Sequence, residues 1–398
     1  MRKFFIKKRV TAVLFIIILY IFSICNIYKN YSNIKEDMKN DSVKDVTTLI
    51  SSFDNSVNEN IIGKYNFIEA YGALNVLLDK KEENSFEVVK DNEGFLHNTY
   101  FATKVSGEID SIVEEIKNIN EISKNSGAEF LVTMPPDKFI RGVTDIYEGY
   151  PYNYCNENID YYLEKLDENN IDNIDFRIPL INTGWDLEKI FYKTDHHWTT
   201  QASFEAYKYL VEQMNNKYGT DLDKTGYYTD ESNYNFIDYD KVFLGAQGRK
   251  AMTIYSGLDN FTLIYPKFST EVSFSIPAYD HNVEGRVEDV LINLSQMDNN
   301  KPIYEKSFYD MYLNGVTYPY GIIENKLNSE GPKVLVIRDS FASAPLTFFS
   351  SLCSRLDVVY PLYYKDSIKE LIENGDYDYV IVMAYPGNLI KEFYEFKY

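Results

Sequence analysis

The residues best suited to do chemistry lie in one short segment, Thr194–Thr199, with the sequence TDHHWT. It holds two of the four histidines, beside an aspartate and one of the two tryptophans. Asp195 and His197 are two positions apart, so extended backbone places both side chains on one side. The carboxylate can accept from one imidazole nitrogen, which leaves the other nitrogen to act as a base. Thr199 or Thr200 is predicted to cap the following helix.

A second segment, residues 334–343 (VLVIRDSFAS), supplies a candidate nucleophile. A hydrophobic strand is predicted to end at Arg338, with Asp339 and Ser340 on the turn into the next helix. Open α/β sheets place their sites at such strand ends. A serine hydroxyl is a poor nucleophile alone and needs a base such as His197. The N–H of the serine is a candidate oxyanion donor.

Each assignment in these two segments has an alternative. His196 and His197 could form half of a metal site, but no third ligand stands at a recognisable zinc spacing. His196 could replace His197 as the base, although the spacing from Asp195 favours His197. Ser340 could be only a helix N-cap, but its pairing with the histidine segment favours a nucleophile. Trp198 is either a core residue or a platform for a substrate.

Four further residues are candidates for contact with a substrate or an oxyanion: Arg338, Trp198, Tyr385 and Asn388. The last two follow the final predicted strand of the chain. Asp339 is predicted to be a turn or capping residue. Gly245, Gly248 and Arg249 either line the site or form a bend.

Hydrophobic periodicity indicates an α/β domain around these segments. Helices are predicted over 109–122, 202–214 and 368–372, and buried strands over 130–134, 333–337, 357–360 and 379–383. Short apolar runs of this kind are typical of strands covered on both faces of a parallel sheet. Residues 221–326 instead alternate polar and apolar side chains, which predicts a β-rich insertion in the same domain.

The two segments resemble the motifs of the DHHW family, bacterial proteins related to the alginate O-acetyltransferases of the SGNH-hydrolase-like superfamily. In that group an Asp-x-His-Trp motif precedes a late Gly-Asp-Ser-like motif, whereas ordinary SGNH esterases put the serine first. Ser340 follows His197 by 143 residues, in the order of that group. The resemblance runs from about Asn58 to the C-terminus and includes residues 243–249 and 259–267.

The resemblance implies an SGNH-hydrolase-like parallel sheet flanked by helices. Carried over by position, Ser340 is the nucleophile, His197 the base and Asp195 the acid that orients the base. Arg338 departs from the family pattern, because a glycine is common two positions before the serine. An arginine in place of this glycine is expected to affect the shape of the turn that holds Ser340.

The resemblance also implies an O-acetyltransferase that moves acetyl through an acyl-serine to hydroxyls of an extracytoplasmic polysaccharide. No phosphate-cradling glycine loop is visible, so we expect no bound cofactor. The resemblance implies a membrane-bound O-acyltransferase as the partner that donates acetyl. A carbohydrate acetyl-esterase with the same triad and water as acceptor is an alternative. A non-catalytic polysaccharide-assembly protein is another, and the intact Asp-His-Ser set argues against it.

Composition limits the class of partner. The 398 residues are 45% hydrophobic and 25% charged, enough for a sizeable core. A net charge of −20 argues against nucleic acid, and without the basic N-terminus the charge is near −25. That charge favours a neutral or amino-sugar glycan over a uronic-acid polymer. Cys155 and Cys353 could pair, but two cysteines make no disulfide framework.

The N-terminus is predicted to be an uncleaved signal anchor. Residues 1–9 carry five positive charges, and residues 10–27 are 18 uncharged residues. Such a helix spans about 27 Å, and the flanking charges predict the N-terminus inside. No small-x-small cleavage site follows the apolar run. Residues 28–57 are predicted to be a polar stalk, and residues 58–398 an extracytoplasmic catalytic domain of a single-pass cell-membrane protein.

This topology is testable with a protease added to intact protoplasts. We expect digestion of the exported part from residue 28 onward, because the positive flank holds only the first residues inside. A cytoplasmic marker should stay intact until the protoplasts are lysed. Full protection of the domain in intact protoplasts would contradict the predicted orientation.

Overall fold

The described part of the chain forms two units. The structure, a computed structural model, describes residues 2–40, 50, 51, 54, 57, 58, 61–83, 85–99, 101, 103–144 and 151–398. Part of the predicted stalk, residues 41–49, 52, 53, 55 and 56, lies outside the described residues. By their contacts, the units are Met1–Leu78 and Asp79–Tyr398.

Two helices of the N-terminal unit have both ends within the described residues, α1 (Arg2–Asn40) and α2 (Lys64–Leu77). Within α1, the 27 residues Ile6–Ser32 are long and apolar enough to cross a membrane, by length and composition. The helix therefore extends beyond both ends of the predicted span, residues 10–27. It also includes the first part of the predicted stalk.

Residues 61–78 group with the N-terminal helix rather than with the domain that follows. One reason is a hydrogen bond of 2.6 Å from the Ile62 N–H to the Asn26 side-chain oxygen. The second unit begins at Asp79, whereas the catalytic domain predicted from the sequence begins at residue 58, and that boundary stays a prediction.

The second unit is built around one large sheet. The strands of the described residues are β1 (Glu82–Glu83), β2 (Val88–Lys90), β3 (Leu96–Asn98), β4 (Glu129–Met134), β5 (Asn173–Asp175), β6 (Tyr234–Phe243), β7 (Asp259–Pro266), β8 (Val272–Ile276), β9 (His281–Gly285), β10 (Tyr320–Asn325), β11 (Lys333–Arg338), β12 (Arg355–Val359) and β13 (Tyr379–Met383). Eight of them form the main sheet in the order β5-β4-β13-β11-β12-β10-β8-β9.

The main sheet has a parallel half and an antiparallel half. From β5 to β12 all neighbours are parallel, and from β12 to β9 all are antiparallel. The register pairs Ile337 with Val382 and Arg338 with Met383, so β11 and β13 end side by side. The α/β fold class predicted from the sequence is therefore confirmed, with a mixed rather than a purely parallel sheet.

Helices pack with this sheet in two groups. The remaining α-helices are α3 (Ser106–Asn125), α4 (Cys155–Glu168), α5 (Arg177–Asn182), α6 (Leu187–Ile190), α7 (Thr200–Tyr218), α8 (Ala246–Ala251), α9 (Thr253–Ser256), α10 (Val287–Val290), α11 (Ser343–Phe349), α12 (Ile368–Gly375) and α13 (Lys391–Tyr394). Helix α3 contacts α4, α12 and α13, whereas α7 contacts α5, α6 and α11. Residues 334–337 between the groups are wholly buried, as expected of a strand covered on both faces.

The segment predicted as a β-rich insertion, residues 221–326, divides in two. Strands β6 and β7 form a separate two-stranded ribbon, whereas β8, β9 and β10 extend the main sheet. Sequence alternation could not separate the two, because both kinds of strand are half-exposed. The loop between β6 and β7 contains α8 and matters for the site.

Cys155 and Cys353 are both buried as free thiols. Burial raises the pKa of each thiol well above its ordinary value. Because both cysteines are free, the disulfide between them that the sequence allowed is not formed.

Candidate active site

The structure brings Asp195, His197 and Ser340 together. His197 Nδ1 lies 2.6 Å from Asp195 Oδ1, and His197 Nε2 lies 2.7 Å from Ser340 Oγ. The convergence predicted from the sequence is therefore found in the structure. Because an ionised carboxylate can only accept, Nδ1 carries the proton and Nε2 accepts from the serine hydroxyl. The catalytic roles themselves stay predictions.

Asp195 reaches His197 through a turn rather than through extended backbone. Its Oδ1 also accepts from the His197 backbone N–H at 3.0 Å, which is an Asx turn. The loop around it is closed by a bridge between Phe191 and Trp198. Thr199 then caps α7, because its hydroxyl accepts from the Ala202 N–H. The same-side placement was predicted correctly, but the backbone conformation was not.

The Asp195 carboxylate stays ionised although it is buried. Burial alone would raise its pKa, but His197, His196 and the Ala246 N–H together hold the pKa well below its usual range. The Ala246 N–H, at the start of α8, donates to Oδ2 at 2.7 Å. Both carboxylate oxygens are therefore used within the protein.

Close packing of Gly245 against Asp195 brings the Ala246 N–H within hydrogen-bond distance of the carboxylate. A Cβ at residue 245 would lie 2.2 Å from the Asp195 Cβ and 2.5 Å from the Thr194 carbonyl oxygen. The Gly245 N–H donates to Thr194 Oγ1, and the Gly248 N–H donates to the Thr194 carbonyl. Arg249 instead donates to backbone carbonyls of Leu244 and Lys306. The two glycines thus support the site, and Arg249 holds their loop.

Asp259, which sequence reasoning missed, fixes the same segment from the ribbon. Its carboxylate accepts from the N–H groups of Lys193 and Thr194 at 2.7 and 2.8 Å, and from the Thr194 hydroxyl at 2.5 Å. Burial raises the pKa of Asp259, and these hydrogen bonds partly offset the effect. Asp259 opens β7, so the ribbon positions the loop that holds Asp195.

Tyr309 joins the base to the nucleophile segment and was also missed. Its ring stacks on His197 with centroids 3.8 Å apart and planes 12° apart. Its hydroxyl accepts from Trp198 Nε1 at 2.8 Å and donates to the Phe341 carbonyl at 3.0 Å. The imidazole is therefore clamped against a residue that is itself tied to the turn of Ser340.

The nucleophile turn is held by Asp339, as the sequence predicted. Asp339 caps the 3-10 turn of residues 340–342, accepting from the Phe341 N–H at 2.9 Å. Its other oxygen accepts from the Tyr385 N–H and from the Asn388 side chain at 2.6 and 2.7 Å. Because Asp339 is the cap, the serine hydroxyl is not needed for that purpose.

Two candidates for contact with a substrate are wholly buried. Trp198 donates to Tyr309 and to the Phe341 carbonyl, which favours the core alternative for this residue. Arg338 has its guanidinium 4.8 Å from the Tyr318 ring centroid. Contact of either side chain with a substrate or an oxyanion stays a prediction, and it requires that the buried side chain become exposed.

Tyr385 and Asn388 lie near the site, and their contacts are with residues that hold the site in place. The Tyr385 hydroxyl donates to Asp137 at 2.7 Å, and its ring stacks on Phe341 at 4.4 Å. Asn388 donates to Asp339. Any contact of these two residues with a substrate stays a prediction.

His196 does not replace His197. Its Nδ1 is 3.5 Å from Asp195 Oδ1, and burial with the neighbouring imidazole lowers its pKa. Asp195, His196 and His197 do offer three ligand atoms within 4.8 Å of one another. Both ring nitrogens of His197 are already used by Asp195 and Ser340, so a metal would have to break that chain of hydrogen bonds.

Lys138 is a buried cation near Asp195 that the sequence analysis did not identify. Its Nζ donates to the Leu96 carbonyl at 2.8 Å, the Lys193 carbonyl at 3.3 Å and Gln247 Oε1 at 3.0 Å. Burial lowers the pKa of Lys138 to about 8, although nearby carboxylates, including Asp195, oppose the shift. It follows the prolines that end β4, so the strand-end rule could have found it.

Known proteins share this architecture. Residues 95–235 match the sequence model of a family described as the SGNH hydrolase-like domain of the acetyltransferase AlgX. Two structures of PatB1 from Bacillus cereus, one with a sulfonyl adduct, are 19% identical, with TM-scores of 0.64 and 0.62. Each pairing covers 78% of this chain, and 98% or 99% of PatB1.

A DHHW family protein from Eubacterium siraeum is 18% identical, with a TM-score of 0.55 over 77% of this chain and 93% of its own. No curated protein sequence matches the chain. At these identities the structures establish the fold, and residues 95–235 add a similarity in sequence to the SGNH hydrolase-like domain of an acetyltransferase. The resemblance stated from the two motifs is therefore confirmed.

Gly245→Ala should damage the site without touching the triad. The added methyl would meet Asp195 at 2.2 Å, so the carboxylate must shift. A misplacement of about 1 Å can cost about 10²-fold in activity. Gly107→Ala is the matched control, since a Cβ there meets nothing within 4 Å. Wild-type kcat/KM in Gly245→Ala would contradict the close-packing argument.

The buried Lys138 should make the free energy of unfolding depend on pH. The folded state releases the lysine proton near pH 8, whereas the unfolded chain holds it to about 10.4, so unfolding free energy rises with pH between those values. Relative to Lys138→Met, the wild type should gain roughly 3 kcal/mol over that window. Denaturant titrations of both proteins measure it, and a difference that does not change with pH would contradict the lowered pKa of Lys138.

Proposed function

We propose that this chain is an extracytoplasmic O-acetyltransferase that transfers acetyl through Ser340 to hydroxyls of a polysaccharide. The observation that carries the proposal is the chain of hydrogen bonds from Asp195 through His197 to Ser340. The similarity of residues 95–235 to a domain of an acetyltransferase supports acetyl as the group that is transferred. The net charge near −25 outside the basic N-terminus supports a neutral or amino-sugar acceptor.

In the first half-reaction, Ser340 Oγ attacks the carbonyl carbon of the acetyl donor while its proton moves to His197 Nε2. The negative charge on the carbonyl oxygen needs donors, and the Ser340 N–H is the candidate on this chain, because the first N–H groups of a helical turn lack intrahelical acceptors. Collapse returns the proton to the leaving group and leaves acetyl-Ser340. Asp195 stabilises the imidazolium throughout.

In the second half-reaction, His197 takes the proton of a sugar hydroxyl, whose oxygen attacks the acetyl-serine. The Ser340–acetyl bond breaks, a sugar acetate ester forms, and the proton returns to the serine oxygen. Water in place of the sugar would give an esterase by the same steps. Tyr309 supports both steps equally, since its ring and hydroxyl fix the imidazole.

The donor and the location belong to the same proposal. The apolar stretch Ile6–Ser32 supports a membrane anchor that keeps the catalytic unit outside the cell. Acetyl groups made inside must cross the bilayer, so we propose a membrane-bound O-acyltransferase as the donor partner. No bound cofactor is required by the serine chemistry.

Ser340→Ala and His197→Ala should each lower turnover of an acetyl-ester chromogen by about 10²–10⁴-fold, and the double variant should lose little more. Ser343→Ala is the matched control, because in the described residues that buried hydroxyl has no hydrogen-bond partner. A sulfonyl fluoride should label Ser340 and spare Ser340→Ala. Wild-type turnover in Ser340→Ala would refute the acyl-serine.

Transfer and hydrolysis are separated by adding a neutral oligosaccharide to the chromogen assay. A transferase should release chromogen faster and yield O-acetylated sugar that is absent with Ser340→Ala. Free acetate alone, with an unchanged rate at every sugar concentration, would favour the esterase.

A further inference from the structure

Helix α2 (Lys64–Leu77) exposes an apolar stripe that the proposed chemistry does not use. The large apolar side chains it leaves exposed, with the residue after it, are Phe67 (60%), Tyr71 (45%), Leu74 (48%), Val76 (51%), Leu77 (81%) and Leu78 (65%). Phe67, Tyr71, Leu74 and Leu78 recur at helical spacing on one face. From residue 70 to residue 78 the sequence has no charged side chain. Soluble surfaces rarely expose so continuous an apolar face.

Two residues of α2, Gly72 and Asn75, are buried, whereas the stripe beside them is not. Val76 and Leu77, on other sides of the helix, are also exposed, so α2 is covered by the rest of the described protein only along a narrow strip. The exposed apolar residues need a second apolar environment.

Contacts inside the N-terminal unit show where that environment lies. The Phe67 ring meets the Phe22 ring edge-on, with centroids 5.7 Å apart. The Asn26 side chain, which is buried, accepts from the Ile62 N–H at 2.6 Å and donates to the Phe22 carbonyl at 2.9 Å. An asparagine in an apolar span needs such partners. The start of α2 is thus fixed to the outer end of the uncharged run of α1.

We propose that α2 lies in the outer interface of the lipid bilayer, with its stripe of Phe67, Tyr71, Leu74 and Leu78 against the acyl chains. The inference rests on the membrane anchor proposed above. A helix held at the outer end of a span is at the depth where amphipathic helices and tyrosine rings bind lipid. The occupant is lipid rather than a protein because Phe67 of the stripe packs on Phe22, which lies within the apolar stretch Ile6–Ser32 of the proposed membrane anchor.

The consequence is a second membrane contact next to the catalytic unit. That unit begins at Asp79, directly after the stripe ends at Leu78. Only one peptide bond therefore separates the proposed membrane contact from the first residue of the second unit. Such tethering suits an enzyme whose acetyl donor is a membrane protein.

The test uses the full chain in phosphatidylcholine liposomes, with an environment-sensitive fluorophore on a cysteine and doxyl-labelled lipids as quencher. Leu74→Cys in a Cys25→Ser background reports on the stripe. Leu327→Cys in the same background is the matched control, since this leucine is 57% exposed in the second unit. Cys155 and Cys353 are buried and react slowly.

We expect quenching at Leu74→Cys of the same order as at wild-type Cys25, which is exposed on α1, and far above that at Leu327→Cys. Quenching at Cys25 with none at Leu74→Cys would overturn the α2 proposal and leave the anchor standing, as when a protein partner covers the stripe. Absence of quenching at Cys25 as well would overturn the anchor itself.

Discussion

The site depends on keeping one buried carboxylate ionised. A carboxylate removed from water becomes neutral unless hydrogen bonds and positive charge compensate, and a protonated Asp195 could not stabilise a charged His197. The chain solves this with the backbone N–H groups of His197 and Ala246, and with the imidazole itself. The Ala246 N–H arrives only because residue 245 is a glycine that touches Asp195. The loop between β6 and β7 therefore supports the candidate site directly, through the Ala246 N–H.

The same type of side-chain-to-backbone turn positions both His197 and Ser340. Asp195 and Asp339 each accept from the N–H two residues later, which bends the backbone so that the next functional side chain is presented. The two turns are far apart in sequence, and Tyr309 couples them by stacking on His197 and bonding to the Phe341 carbonyl. A short turn alone would leave the imidazole free to rotate. The clamp removes that freedom before a substrate binds, which is the preorganisation that catalysis requires.

Sequence reasoning could reach the triad because Asp, His and Ser at strand ends and turns are rare combinations with one main chemical use. It also gave the α/β class, since runs such as residues 333–337 have little other explanation. It could not assign Trp198, because an aromatic beside a histidine is equally suited to core and cleft. Tyr309 gave no signal among 36 tyrosines. Asp259 acts through contacts with backbone 65 and 66 residues away, which no local pattern encodes, whereas Lys138 lies just after a strand end and was overlooked.

The departure at Arg338 shows how the antiparallel half of the sheet supports the parallel half. A glycine before the Asp-Ser pair would need no partner, whereas a buried guanidinium must be compensated. Rings of Tyr318 and Tyr360 lie 4.8 and 5.4 Å from it, and the Val316 carbonyl accepts at 3.3 Å. Two of these partners immediately precede β10, the first antiparallel strand beyond β12. In the described residues, Nε and Nη2 of Arg338 have no hydrogen-bond partner, so the two rings and the single carbonyl are what compensates the buried guanidinium beside the nucleophile turn.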